Sequence, residues 1–148
     1  MAFTTTLWST ASSLVTDATT ELNSLANAAR AFGTAIANQS ALNRYADFEI
    51  IAKFASRPTA VTPYVNLFLI PALFGATYTI ITAATAPPAT LFVGAFPIAT
   101  STGPQRSVIP RVILPPLKFK TCTENNSGKS FAATGTTVRH VTYNERSS

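Results

Sequence analysis

The segment Arg44-Tyr-Ala-Asp-Phe-Glu-Ile-Ile-Ala-Lys-Phe54 alternates with a period of two. Ala46, Phe48, Ile50, Ala52 and Phe54 fall on one side; Asp47, Glu49, Ile51 and Lys53 fall on the other. Successive side chains of a strand point to opposite faces, so this spacing predicts a half-buried antiparallel strand. Ser56-Arg-Pro-Thr59 breaks it. Val61 to Ile70 then predicts a second strand, and its unbroken apolar run predicts cover on both faces, on one of them by the chain or by a partner. Pro71 is expected to end that strand, and Thr77 to Thr82 offers a short third one. Leu91 to Ile98 reads as a strand in which Gly94 and Pro97 mark a bulge or an edge. Ser107 to Leu114 carries Pro110 and reads as an edge strand. Leu117 to Thr123 and Thr136 to Tyr143 complete the series, with a turn over Asn125 to Gly128. Short strands with turn signals about every 8–12 residues predict an all-β, antiparallel β-sandwich.

Upstream the pattern weakens. Residues 21–37 fit a helical stripe through Leu22, Leu25, Ala29, Phe32, Gly33 and Ile36. They also fit a strand with Phe32, Thr34 and Ile36 inward. Residues 1–20 are rich in Thr, Ser and Ala with scattered apolar groups, and read as an extended N-terminal arm or lead-in. Trp8 either folds back on its own domain or anchors on a neighbouring subunit. The expected organisation is therefore an arm over 1–20 and one sandwich domain over 21–148.

The 148 residues fit one domain. Hydrophobic residues make up 47%, but charged residues only 11%, which excludes a charged disordered chain and a coiled coil. A single cysteine excludes a disulfide framework, and Cys122 reads as a small buried hydrophobe. Residues 1–50 hold two arginines against four carboxylates, net −2; residues 51–148 hold nine Lys/Arg against two, net +7. The basic residues are scattered, so a solvated or protein-facing basic side is expected rather than nucleic-acid binding. No charge occurs between Arg57 and Arg106. Asn66, Pro71 and Gly75 interrupt that stretch, so no membrane span is expected, and Met1 to Thr20 lacks the pattern of a signal peptide.

Reactive chemistry is thinly represented. Ser127-Gly-Lys-Ser130 resembles the end of a phosphate-binding loop, but Thr123 stands where the loop's first glycine belongs, so it reads as a turn. Asn125-Asn-Ser127 matches a glycosylation pattern and also reads as a turn. His140 is the only imidazole, no nucleophile elbow exists, and His140 is expected on the less buried side of its strand. Asp47 and Glu49 share a strand face and read as a solvated or interface pair, not as catalytic carboxylates. No enzyme, catalytic residue, cofactor or metal site is expected.

Several blocks carry a family resemblance. They are Leu42-Asn-Arg-Tyr-Ala-Asp-Phe-Glu-Ile50, Tyr64-Val-Asn-Leu-Phe-Leu-Ile-Pro-Ala72, Ala86-Pro-Pro-Ala-Thr-Leu-Phe-Val-Gly-Ala-Phe-Pro-Ile98 and Ile113-Leu-Pro-Pro-Leu-Lys-Phe-Lys120. With Asn125 to Ala133 and Val141 to Glu145, their order resembles the capsid decoration, or cement, proteins of tailed bacteriophages. The resemblance covers roughly residues 21–145. It implies a jelly-roll sandwich that forms a homodimer on the outer surface of the virion's capsid and bridges neighbouring major capsid protein subunits. It implies no nucleic acid or membrane partner. Phe74-Gly-Ala-Thr-Tyr-Thr-Ile-Ile81 departs from it, an apolar loop where a polar turn is expected. Phe3, Leu7, Trp8, Phe74 and Tyr78 are accordingly the candidate interface residues. The alternative is a jelly-roll module of a tail or head fibre that binds host glycans, with Trp8, Tyr45, Tyr64, Tyr78 and Tyr143 as the available rings.

Overall fold

Strand β4 (Tyr45–Ala52) shows the alternation written in its sequence. Ala46, Phe48, Ile50 and Ala52 are fully buried, whereas Asp47, Glu49 and Ile51 are only partly covered. The computed structural model describes residues 6–75, 77–78 and 82–147. Around β4 lie β1 (Thr6–Trp8), β2 (Val15–Ala18), β3 (Arg30–Ala37), β5 (Tyr64–Phe74) and β6 (Thr77–Tyr78). They are followed by β7 (Phe92–Pro97), β8 (Gln105–Ile113), β9 (Lys118–Asn126), β10 (Thr137–Tyr143) and β11 (Glu145–Ser147). One short helix, α1 (Asn38–Ala41), precedes β4.

One sheet runs β2-β10-β4-β8, and the other runs β3-β9-β5 with β6 and β7 both on β5. Every pairing is antiparallel. Leave out β1, β6 and β11, and the first, eighth, third and sixth of the remaining strands form one sheet. The second, seventh, fourth and fifth form the other. That interleaving is the strand order of a jelly roll. The core lies between the sheets: Phe48, Ile50 and Val138 on one, Val65, Leu67, Leu69 and Phe119 on the other, with Leu22, Phe96 and Phe131 filling in.

Three sequence expectations need correction, and one open reading is decided. Residues 15–18 belong to the roll: β2 pairs with β10, and Asp17 and Ala18 are buried, so the sandwich begins inside the expected arm. Residues 30–37 form strand β3, preceded by a single 3-10 turn at Thr20–Leu22. A register shift between Phe32 and Ala35 switches its phase. Ile36 therefore packs on the main core, while Phe32 packs on the opposite face of its sheet. Pro71 does not end β5, which stays paired with β9 through Pro71 and continues to Phe74. The strand tolerates it because β7 pairs with β5 only as far as Phe68. Finally, His140 points inward, as described below.

The two-sided cover expected for β5 is present. Phe68 and Ile70 face away from the main core and form a second cluster with Cys122, against which Phe32, Tyr78 and Leu91 pack. That cover comes from this chain's own hairpin and from the 3-10 turn before β7. Of the third strand expected over 77–82, β6 accounts for Thr77 and Tyr78; residues 79–81 lie outside the described residues. The edge reading of Pro110 holds, since β8 is the outer strand of its sheet.

Candidate interaction surface

The two ends of the roll differ in chemistry. At one end β4 begins and β5, β8 and β10 finish; it is called the Trp8 end here. There Leu42, Leu73, Phe74 and Ile113 are 61–82% exposed. Four large apolar side chains left in water at one end of a small domain mark a contact surface. Beside Ile113 an apolar cleft of about 400 Å³ is lined by Leu69, Pro71, Leu91, Val93, Pro115 and Pro116.

Trp8 lies on an aromatic platform at the same end. It meets Tyr143 and Tyr45 edge-on at 5.4 and 5.8 Å, and the two tyrosine rings stack at 5.8 Å. Arg111 sits 5.2 Å from the centre of the Trp8 ring, and Arg44 sits 5.3 Å from that of Tyr45. β1 brings Trp8 there by pairing with β11, Trp8 opposite Glu145. Trp8 therefore folds back on its own chain, yet stays 49% exposed. The Tyr45 hydroxyl donates to Glu145, and the Tyr143 hydroxyl donates to Asp47 at 2.8 Å.

The candidate interface residues are thus only partly gathered. Trp8 and Phe74 lie at this end. Leu7 pairs through its backbone with Arg146; its side chain, and all of Phe3, lie outside the described residues. Tyr78 covers the second cluster, its hydroxyl buried and Lys120 Nζ 4.5 Å from its ring centre. Leu42, Leu73 and Ile113 were not singled out from the sequence. For Ile113 the reason is local: the register slips between Ala46 and Phe48, opposite Pro110 and Arg111, so the phase set by Ile109 is lost. For Leu42, flanked by Ala41 and Asn43, no sequence signal exists.

The polar candidates are engaged inside the chain. Glu49 binds Arg139 at 2.5 Å and Arg106 at 3.3 Å, and Asp47 accepts from the Arg111 backbone N–H at 2.8 Å. His140 Nδ1 lies 2.7 Å from Asp17 Oδ1, with the ring 5.4 Å from Phe48, and both polar residues are buried. The imidazole faces the core because β2 brings it a carboxylate that the local sequence does not announce. Burial raises the Asp17 carboxyl above its ordinary value, outweighing the lowering by the hydrogen bond and charge of His140. Asn125 is buried, its carboxamide donating to the carbonyls of Leu25 and Lys129, so the glycosylation pattern is not presented to solvent. Ser127 to Ser130 forms the turn after β9, with Gly128 at φ +84°. Among the described residues no group of three or more His, Cys, Asp or Glu is placed to hold a metal ion. No helix among them is long and apolar enough to cross a membrane.

No protein-family model, curated protein or solved structure matches the chain. Its reading rests on residues and geometry.

The opposite end, where β5 begins and β9 finishes, is named for Tyr64. It carries an uncharged cleft lined by Asn27, Thr59, Thr62, Tyr64, Asn126 and Gly128 together with the apolar Ala60 and Val61.

Proposed function

We propose that this chain is a virion structural protein that decorates the capsid of a tailed bacteriophage. The Trp8 end docks on the major capsid protein, and a homodimer of the chain bridges neighbouring subunits. The observation that carries the reading is the gathering of Leu42, Leu73, Phe74 and Ile113, exposed, at one end of a roll whose carboxylates are largely paired internally. The order of the sequence blocks supports it. Apolar surface removed from water contributes about 25 cal/mol per Å² before association costs. The cleft beside Ile113 suits an apolar anchor residue of the shell. Many copies on one shell add their contacts by multivalency.

The test is an add-back to purified heads that lack the protein. Stoichiometric binding is expected, retained by Val61→Asp at the far end and lost in Phe74→Asp. Heads that take up no protein overturn the reading. Equal binding by both variants moves the contact away from the Trp8 end.

A further inference from the structure

The cleft at the Tyr64 end has a volume of about 440 Å³, within the roughly 300–1,000 Å³ of small-ligand sites. It lies between the approach to β5 and the turn that follows β9. None of its lining residues carries a charge, so nothing there rewards a phosphate, a carboxylate or an ammonium group.

Three of the polar side chains are held by hydrogen bonds. Asn27 Oδ1 accepts from the Gly128 N–H at 2.7 Å; Asn126 Nδ2 donates to Glu124 Oε2 at 3.0 Å; Thr59 Oγ1 donates to the Gly128 carbonyl at 3.0 Å. Each bond holds a side chain and leaves part of it unused. Among the described residues, Asn27 Nδ2, Asn126 Oδ1, the Thr62 hydroxyl and the Tyr64 hydroxyl have no protein partner. Gly128 closes the floor: its φ of +84° suits glycine, and a Cβ there would stand 2.5 Å from the Ala60 nitrogen. Tyr64 is 39% exposed and belongs to neither apolar cluster.

A preset amide donor, a preset amide acceptor, two hydroxyls and one open ring match the chemistry of a neutral sugar. Its hydroxyls both donate and accept, and its C–H face packs on an aromatic ring. Preset polar groups lower the ordering cost of binding. We propose that this cleft binds neutral carbohydrate, a pyranose packed on Tyr64 with its hydroxyls reaching Asn27 and Asn126. The proposal does not rest on the capsid reading. It uses the end opposite the proposed docking surface, so a copy seated through the Trp8 end leaves the cleft open.

The test is a titration of the ¹⁵N-labelled protein with the methyl glycosides of glucose, galactose, mannose and N-acetylglucosamine, followed by NMR. At least one glycoside should give saturable shifts in the Val61, Thr62 and Gly128 amides and the Asn27 and Asn126 side chains, with Kd on the order of millimolar. Tyr64→Ala should weaken binding about tenfold or more, and Tyr64→Phe should retain most of it, as expected for loss or retention of ring packing. Thr62→Trp fills the cleft from an exposed position and should abolish binding. Absence of saturable shifts at these groups with all four glycosides overturns the proposal. So does binding that Tyr64→Ala and Thr62→Trp leave unchanged. Head add-back is read separately, so either result can fail while the other stands.

Discussion

Gly33 leaves no room for a side chain: a Cβ there would stand 2.3 Å from Thr121 Oγ1 and 2.7 Å from the Asp17 carbonyl oxygen. The second neighbour is backbone, so turning Thr121 alone does not clear the clash. Gly33→Ala is expected to lose about 1–3 kcal/mol in urea denaturation. An unchanged midpoint would show that β2 can step away from β3. Cys122 is buried, and burial pushes its thiol up to about 12, with a smaller lowering by the Arg30 charge and a smaller raising by the Glu124 charge. A thiol reagent should label no cysteine in the folded protein and one after denaturation; rapid native labelling would contradict the burial of the second cluster. Asp17 offers a pH test. Its folded value lies above the ordinary 3.8, so its contribution to stability is complete below the unfolded value and is lost as pH rises through the folded one. Asp17→Asn keeps an acceptor for His140 Nδ1 and removes the titration. Its stability relative to the unaltered chain should rise as pH climbs from below 3.8; a constant difference would refute the assignment. The Asp17–His140 pair was invisible in the sequence because its members stand 123 positions apart. A lone imidazole on a strand carries no mark of what lies across from it.

Among the elements, β8 depends most on one side chain of its neighbour. It holds Arg111 at φ +54° without a glycine, and Asp47 on β4 accepts both the Arg111 N–H and the Tyr143 O–H at 2.8 Å. Asp47→Ala removes two hydrogen bonds and is expected to lower stability by about 1–2 kcal/mol. Exchange of the Arg111 amide should quicken, and if it does not, some other group holds the bulge. The same carboxylate acts on Tyr143, whose phenol is pushed up to about 12 by desolvation first, then by the hydrogen bond and charge of Asp47. That contribution is complete below the unfolded value of 10.0 and is lost as pH rises through about 12. In Asp47→Ala the phenol should ionise at lower pH, read by its ultraviolet absorbance. Elements were legible where the period held unbroken. β4 could be read residue by residue because no bulge or proline interrupts Tyr45–Ala52 on its own strand. β3 was ambiguous because its shift at Phe32 mixes two phases. β2 was missed because four residues, one of them a buried aspartate, make too short a pattern to show a period of two.

For the molecule as a whole, folding interleaves the acidic and basic halves of the sequence. β4, from the acidic half, lies between β8 and β10 of the basic half, so Glu49 meets Arg106 and Arg139. Arg30 likewise meets Glu124, and Arg44 meets Glu145 at 3.7 Å. The ends differ instead in that one exposes four large apolar side chains beside Arg44 and Arg111, and the other carries an uncharged cleft beside the exposed Val61. Raising salt from about 0.1 M to about 1 M shortens the screening length from about 10 Å to about 3 Å. Head add-back through an apolar end should change little over that range; a steep fall would transfer the docking to the arginines. The interleaved strand order also bears on how the chain acquires its shape. β9 is wedged between β3 and β5, and β10 between β2 and β4. During synthesis, each earlier pair has to wait for a strand not yet made. Closure over such long separations is slow, on the millisecond-to-second scale. A ribosome-bound chain short of β9 and β10 can pair β4 with β8 and β5 with β7, but β2 and β3 have no strand to pair with, and maturation is timed by its latest strands.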